Sequence, residues 1–210
     1  MFDLPKHTIV DKSIPKNAFD NYINTQQKKL FSEYINKIRW TNKLSTSTTN
    51  LPSKEIEEIQ TFTIHLKKKG DIKNLLEIID KSIPYHVIFT IQFENEILLS
   101  VAKKHPHPTN ENNSVIDWVF QSEWLNSDKF KFNLKLKESI DFILVDICSQ
   151  ISGDKDKTID ELVQSNLEKQ SLNKQIAKLH QQIISCKQFN RKVDLNIELE
   201  RIKKIHENIS

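Results

Sequence analysis

The sequence predicts an α+β fold, with a mostly antiparallel sheet of four to five strands packed with helices and a C-terminal α-helical coiled-coil arm or hairpin. Three observations predict it. Tyr85, Val87, Phe89, Ile91 and Phe93 alternate with His86, Thr90 and Gln92, the period of two that sends successive side chains to opposite faces of a strand. Leu172, Ile176, Leu179, Ile183 and Cys186 recur at spacings of four and three, a heptad seam. After Gly153 no glycine or proline appears through residue 210, so nothing in that stretch breaks a helix. The expected domains are residues 1–153, globular, and 154–210, the arm.

Taken in order, residues 1–15 carry Pro5 and Pro15 and read as an extended lead-in. Phe19, Tyr22, Ile23, Leu30, Phe31, Tyr34, Ile35 and Ile38 recur mostly at three and four, predicting one helix from about Asn17 with a single apolar face. Residues 41–54 are rich in Ser, Thr and Asn and read as a loop. Phe62, Ile64 and Leu66 against Thr61, Thr63 and His65 predict a half-buried strand. Asp71 is placed to cap a helix carrying Ile72, Leu75, Leu76, Ile79 and Ile83, which Pro84 stops.

The 85–93 strand turns through Glu94, Asn95 and Glu96 into Ile97–Val101, a hairpin. Residues 103–114, with two prolines and several asparagines, read as an exposed loop, and Val115–Trp124 as a further strand. Phe130, Phe132, Leu134 and Leu136 alternate with Lys129, Lys131, Asn133 and Lys135, predicting a strand or an extended edge guarded by lysines. Ile140, Ile143, Leu144, Ile147 and Ile151 predict a helix closed by Gly153. In the arm the first seam is succeeded by Leu195, Leu199, Ile202 and Ile209 in another phase, with His206 at an apolar position. The change lies near residues 188–192, where either a stutter or a fold-back is expected. A lone amphipathic helix cannot bury its own stripe, so the arm requires a partner helix.

Composition sets limits on function. Apolar residues make up 37% and charged residues 28%, and 31 Lys and Arg stand against 28 acidic residues. A net charge of +3 permits a nucleic-acid partner without requiring one. Cys148 and Cys186 lie in apolar helical patterns and read as reduced thiols. Two glycines in the whole chain argue against a glycine-rich phosphate loop. With no basic segment leading into an apolar run, and no stretch long enough to span a bilayer, the expectation is a cytoplasmic protein with no membrane partner.

Arg39, Trp40 and Lys43, beside Asn42, bring a tryptophan next to cations, a combination that stacks bases and grips phosphates; a helix C-terminus with Trp40 packed on the sheet accounts better for the same residues. Lys67, Lys68 and Lys69, with Lys103 and Lys104, would line one rim of the sheet and collect phosphates, or form a solvated edge. His86 follows Pro84 and Tyr85 where an acid or base would serve only if a cleft opens. His105 and His107 lack the companions of a metal site. A metal-dependent nuclease needs paired carboxylates and a lysine two residues after one of them, and neither Glu94 nor Glu96 has that lysine. No catalytic residue, metal ligand or cofactor is expected. In the arm, Leu172, Ile176, Leu179, Ile183, Phe189, Arg191, Val193, Leu199 and Ile202 are the candidate partner-binding residues.

Several strings together resemble a known family: LPK at 4–6, IPKNAF at 14–19, IRWTNKL at 38–44, the segment from Ile79 to Phe89, SEW at 122–124 and KQFNRKVDLN at 187–196. They are similar to the bacterial family called domain of unknown function 4391, over nearly the whole chain. The resemblance implies a setting beside DNA methyltransferases and helicases in restriction or phage-defence clusters, and brings no catalytic residues with it. The expected function is a non-catalytic accessory protein of a DNA-modification or phage-defence assembly, docking through the arm onto another protein or a second copy. A nucleic-acid-binding module using the basic and aromatic patch is the alternative, and a divergent metal-dependent nuclease the second alternative.

Overall fold

The first strand lies where only an extended lead-in was expected. Ile9–Ile14 forms β1, an edge strand antiparallel to β2, with a register shift between Ile9 and Lys12 and Asp11 at φ 52°. A 3₁₀ helix, Lys16–Tyr22, leads to helix α1, Thr25–Tyr34. Asn24 opens α1 with a capping box: its side chain accepts from the Gln27 N–H at 2.9 Å, and Gln27 Oε1 accepts from the Asn24 N–H at 2.8 Å. The single helix predicted through Ile38 is therefore two short helices and the beginning of a strand. Ile35–Ser45 forms β2, because the β-branched and aromatic run from Ile35 to Thr41 prefers a pleated surface over a helix. Three- and four-residue spacing joined residues of a helix and a strand that happened to share a phase.

β2 also takes up the start of the expected 41–54 loop, which continues as the one-turn helix α2, Thr46–Thr49. Strand β3 is Glu58–Leu66, α3 is Lys73–Lys81 and β4 is His86–Phe93. Asp71 accepts a hydrogen bond from the Lys73 N–H at 3.1 Å, while the N-cap position itself is Ile72. The prolines and asparagines of 103–114 do not make a loop. β5 runs Glu96–His107 and β6 Asn110–Gln121, joined through Pro108 and Thr109. Pro106 sits opposite Ser114 next to a register shift, the kind of irregularity where a strand tolerates proline.

β7 is the two-residue strand Leu125–Asn126, pairing with β5 at Ile97 and Glu96. Residues 130–136 form no strand. The Gln150 side chain stands in for one there, donating to the Asn133 carbonyl at 2.9 Å and accepting from its N–H at 3.1 Å. Helix α4, Ile140–Ser152, is followed by Gly153 at φ 74°, where a glycine avoids Cβ strain.

The sheet has seven strands in the order β1-β2-β3-β4-β5-β6, with β7 on β5. It exceeds the expected four to five and is mixed, because α3 crosses over to make β3 and β4 parallel. One face carries Ile38, Phe62, Ile64, Phe89, Ile91 and Leu98, packed with Phe31 of α1 and Leu75, Leu76 and Ile79 of α3. On the other face Thr61 and Thr63 are as buried as their apolar neighbours, so β3 is covered on both sides and not half-buried. That face also holds Ile59, Ile88, Leu99 and Val101, while α4 contributes Ile140, Ile143, Leu144 and Ile147, all buried. Asp141 on α4 accepts from the N–H groups of Lys54, Glu55 and Ile56 at 2.8–3.1 Å, tying the approach to β3 to this helix.

The structure is a computed structural model that describes residues 2–209, and the chain divides into two compact units, Met1–Ile151 and Ser152–Ser210. In the second, Thr158 and Glu161 form a capping box that starts α5, Ile159–Ser185. Three residues, Cys186–Gln188, connect it to α6, Phe189–Ile209. Leu179 packs with Leu199 and Ile202, flanked by Leu172, Ile176, Ile183 and Leu195. Apolar residues from both sides of the turn pack in one cluster, so α6 folds back on α5. The partner helix the arm requires is thus in the same chain.

Candidate functional site

On β2 the alternation of a strand separates the residues proposed as one basic and aromatic patch. Trp40 and Phe62 are register partners with parallel rings, 6.3 Å between centroids and 3° between planes, and the indole N–H donates to the Asn42 carbonyl at 2.9 Å. Arg39 points to the opposite face, where it pairs with Asp11. Lys43 lies 2.6 Å from Glu58, whose hydrogen bond holds the ammonium pKa above its usual value.

The lysine run is similarly dispersed over separate partners. Lys67 donates to the Ser32 carbonyl at 2.7 Å, Lys68 pairs with Glu33 at 2.5 Å above the Tyr34 ring, and Lys69 pairs with Glu96 above Trp124. The structure does not bring Arg39, Trp40, Lys43, Lys67, Lys68 and Lys69 to one surface. Lys104, expected on the rim, is buried against Asp80.

For acid–base chemistry, burial chiefly and Lys104 secondarily push the His86 imidazole down to about 4, so it is neutral at pH 7. Burial pushes the Cys148 thiol up and keeps it protonated. Among the described residues no three His, Cys, Asp or Glu side chains are grouped to hold a metal ion. Glu58 comes nearest to a nuclease-like carboxylate, yet it is engaged by Lys43 and by Gln60 Nε2 at 2.7 Å, and the residue two positions on is that Gln60.

The hairpin of α5 and α6 contains the other candidates. Leu172, Ile176, Leu179, Ile183, Leu199 and Ile202 face inward and hold the two helices together. Arg191 is exposed. Phe189 and Val193 lie elsewhere: they are 79% and 42% exposed and, with Ile197 at 65%, sit four residues apart on successive turns of α6. Each lies about 200° around the helix from a residue two positions on; for Val193 and Ile197 those are the seam residues Leu195 and Leu199. α6 therefore has two apolar faces, one packed on α5 and one open. Ile184, 82% exposed at the end of α5, stands beside the turn. The KQFNRKVDLN string at 187–196 pointed to Phe189 and Val193, while Ile184 and Ile197 were missed, because a search for one seam discards apolar residues out of phase with it.

Among the described residues no helix is long and apolar enough to cross a membrane. The family described as domain of unknown function 4391 (DUF4391) matches residues 2–205, nearly the whole chain, and the chain belongs to that family. No curated protein and no solved structure matches it.

Proposed function

We propose that this member of the DUF4391 family is a cytoplasmic, non-catalytic interaction subunit, which docks a partner protein on the open face of α6 within a DNA-modification or phage-defence assembly. The observation that carries this reading is the stripe Phe189, Val193 and Ile197, exposed on consecutive turns opposite the face that packs on α5. Singly exposed apolar residues are ordinary on protein surfaces; a continuous stripe with an aromatic at one end marks an interface.

The occupant is an apolar helix of a different protein, added to the hairpin in coiled-coil fashion. From Phe189 to Ile197 the stripe spans only ~12 Å, and the charged pair Glu200 and Lys203 follows it. That is far short of the ~800 Å² per partner of a stable interface. Two such stripes alone would not hold a second copy, whereas a larger partner surface would take Phe189 as its anchor.

The tagged chain would be purified from its native cells and compared with Phe189→Asp/Ile197→Asp and with the control Lys129→Glu/Lys131→Glu by quantitative mass spectrometry. One partner lost with the stripe variant and retained with the control supports the reading. Identical profiles for all three overturn it, and so does light scattering that shows a dimer of this chain abolished by the stripe variant.

A further inference from the structure

A group of basic residues scattered in the sequence is assembled by strand register. Lys37 on β2 is the Cα partner of His65 on β3, and Arg39 is the partner of Thr63. Opposed residues of an antiparallel pair share a face, so Lys37, Arg39 and His65 project together, away from Trp40 and the core beneath it. Two residues beyond His65 comes Lys67. Lys16 opens its 3₁₀ helix two residues after Ile14, whose partner is Ile38 next to Lys37. Lys16 and Lys67, close enough to act on each other, thus border this corner of the sheet, with the Lys67 ammonium held on the Ser32 carbonyl.

Charge there is poorly balanced. Like charges opposed across a strand pair destabilise it. The His65 pKa is lowered by burial and then by Lys37 and Arg39, and that of Lys16 by burial and then by Lys67. Asp11 is the acid that answers Arg39, brought to it by the left-handed turn at φ 52° in β1. A single carboxylate on one side of the guanidinium orients it and leaves other N–H donors available. Among the described residues Lys37 and Lys16 have no ion-pair partner, and Lys37 is exposed.

The spacing suits a repeating polyanion. Lys37 and Arg39, two residues apart on one strand, stand ~6.7 Å apart, comparable with successive phosphates, and the His65 ring lies one strand over, ~4.8 Å away, as a further N–H donor. The tryptophan that would stack an unpaired base lies on the opposite face, which favours a duplex backbone over a single strand.

We infer that the sheet corner formed by Lys37, Arg39 and His65, with Lys16 and Lys67 at its rim, binds the phosphate backbone of double-stranded nucleic acid without reading its sequence. Such contacts position a protein on a duplex and release counterions. The two inferences rest on different residues, and neither depends on the other.

The test uses the full chain and a fluorescent duplex of mixed sequence, titrated by anisotropy from about 50 to 200 mM salt. Wild type binds at low salt, and affinity falls steeply as salt rises. Lys37→Glu weakens binding at least tenfold, and the milder Lys37→Ala lowers the slope of log affinity against log salt by ~1. Lys129→Glu/Lys131→Glu binds as wild type. The inference is overturned by no binding at the lowest salt, by Lys37→Glu binding as wild type, or by a poly-glutamate peptide competing as well as duplex at equal charge. Unchanged near-ultraviolet circular dichroism of both Lys37 variants establishes that any loss of binding is not loss of fold.

Discussion

Lys104 of β5 places its ammonium 2.6 Å from the carboxylate of Asp80 on α3, with both side chains at most 5% exposed. The same ammonium donates to the Asp80 and Ile83 carbonyls, each at 2.8 Å, closing the C-terminal end of α3 onto the sheet. Burial raises the Asp80 pKa and lowers that of Lys104, and each charge opposes the shift of the other. Removing one partner strands a buried charge. Lys104→Met is expected to cost about 3–5 kcal/mol in urea unfolding, and Asp80→Leu/Lys104→Met less than the sum of the single changes. Additive losses would show that the pair is not coupled.

His86 makes stability depend on pH. In the unfolded chain its imidazole takes a proton near the ordinary value of 6.5, whereas in the fold burial and Lys104 push it down to about 4, against the pull of Asp141 and Asp117. The unfolded state therefore binds the extra proton between these values. The contribution of His86 is fully present above pH 6.5 and declines as pH falls towards 4, by at most ~1.4 kcal/mol per pH unit. Urea midpoints measured at pH 7 and pH 5 should differ less in His86→Gln than in wild type.

The two faces of α6 should respond in opposite ways. Leu199 is buried in the seam and Phe189 is open to solvent. Leu199→Ala is expected to destabilise the hairpin by about 2–4 kcal/mol, read as earlier loss of helical circular dichroism on heating. Phe189→Ala should leave that transition within about 0.5 kcal/mol. Equal effects would mean that α6 does not pack on α5 through Leu199.

Gly70 is required by a close approach. A Cβ there would stand 2.1 Å from the Tyr34 ring, which packs on the core and lies beneath Lys68. Gly70→Ala should cost about 1–3 kcal/mol by overpacking, and the cost should shrink in a Tyr34→Ala background. A neutral Gly70→Ala would place the ring elsewhere.

Much of this was legible from residue spacing. The strand at 86–93, its turn at Glu94 and Asn95, α3 stopped before Pro84 and α4 ended at Gly153 each rest on a local signal, a two-residue period or a single breaker, that no distant contact overrides. Where the reading failed, the deciding interaction was distant in sequence. Ile35 and Ile38 fit a helix or a strand equally well until β3 pairs with them, and Pro106 reads as a loop until a register shift accommodates it. The patch around Trp40 is continuous along the sequence and not in space, because a strand sends successive residues to opposite faces.

By itself, then, the sequence determined an α+β domain and a helical segment after Gly153, since burial periodicity and helix breakers act over a few residues. Only the tertiary structure decided that the sheet is mixed and seven-stranded, that the helical segment closes on itself, and that Lys37, Arg39 and His65 share a surface. Those outcomes depend on strand register and on which apolar face finds a partner first. Both are set by contacts tens of residues apart, which local propensity does not encode.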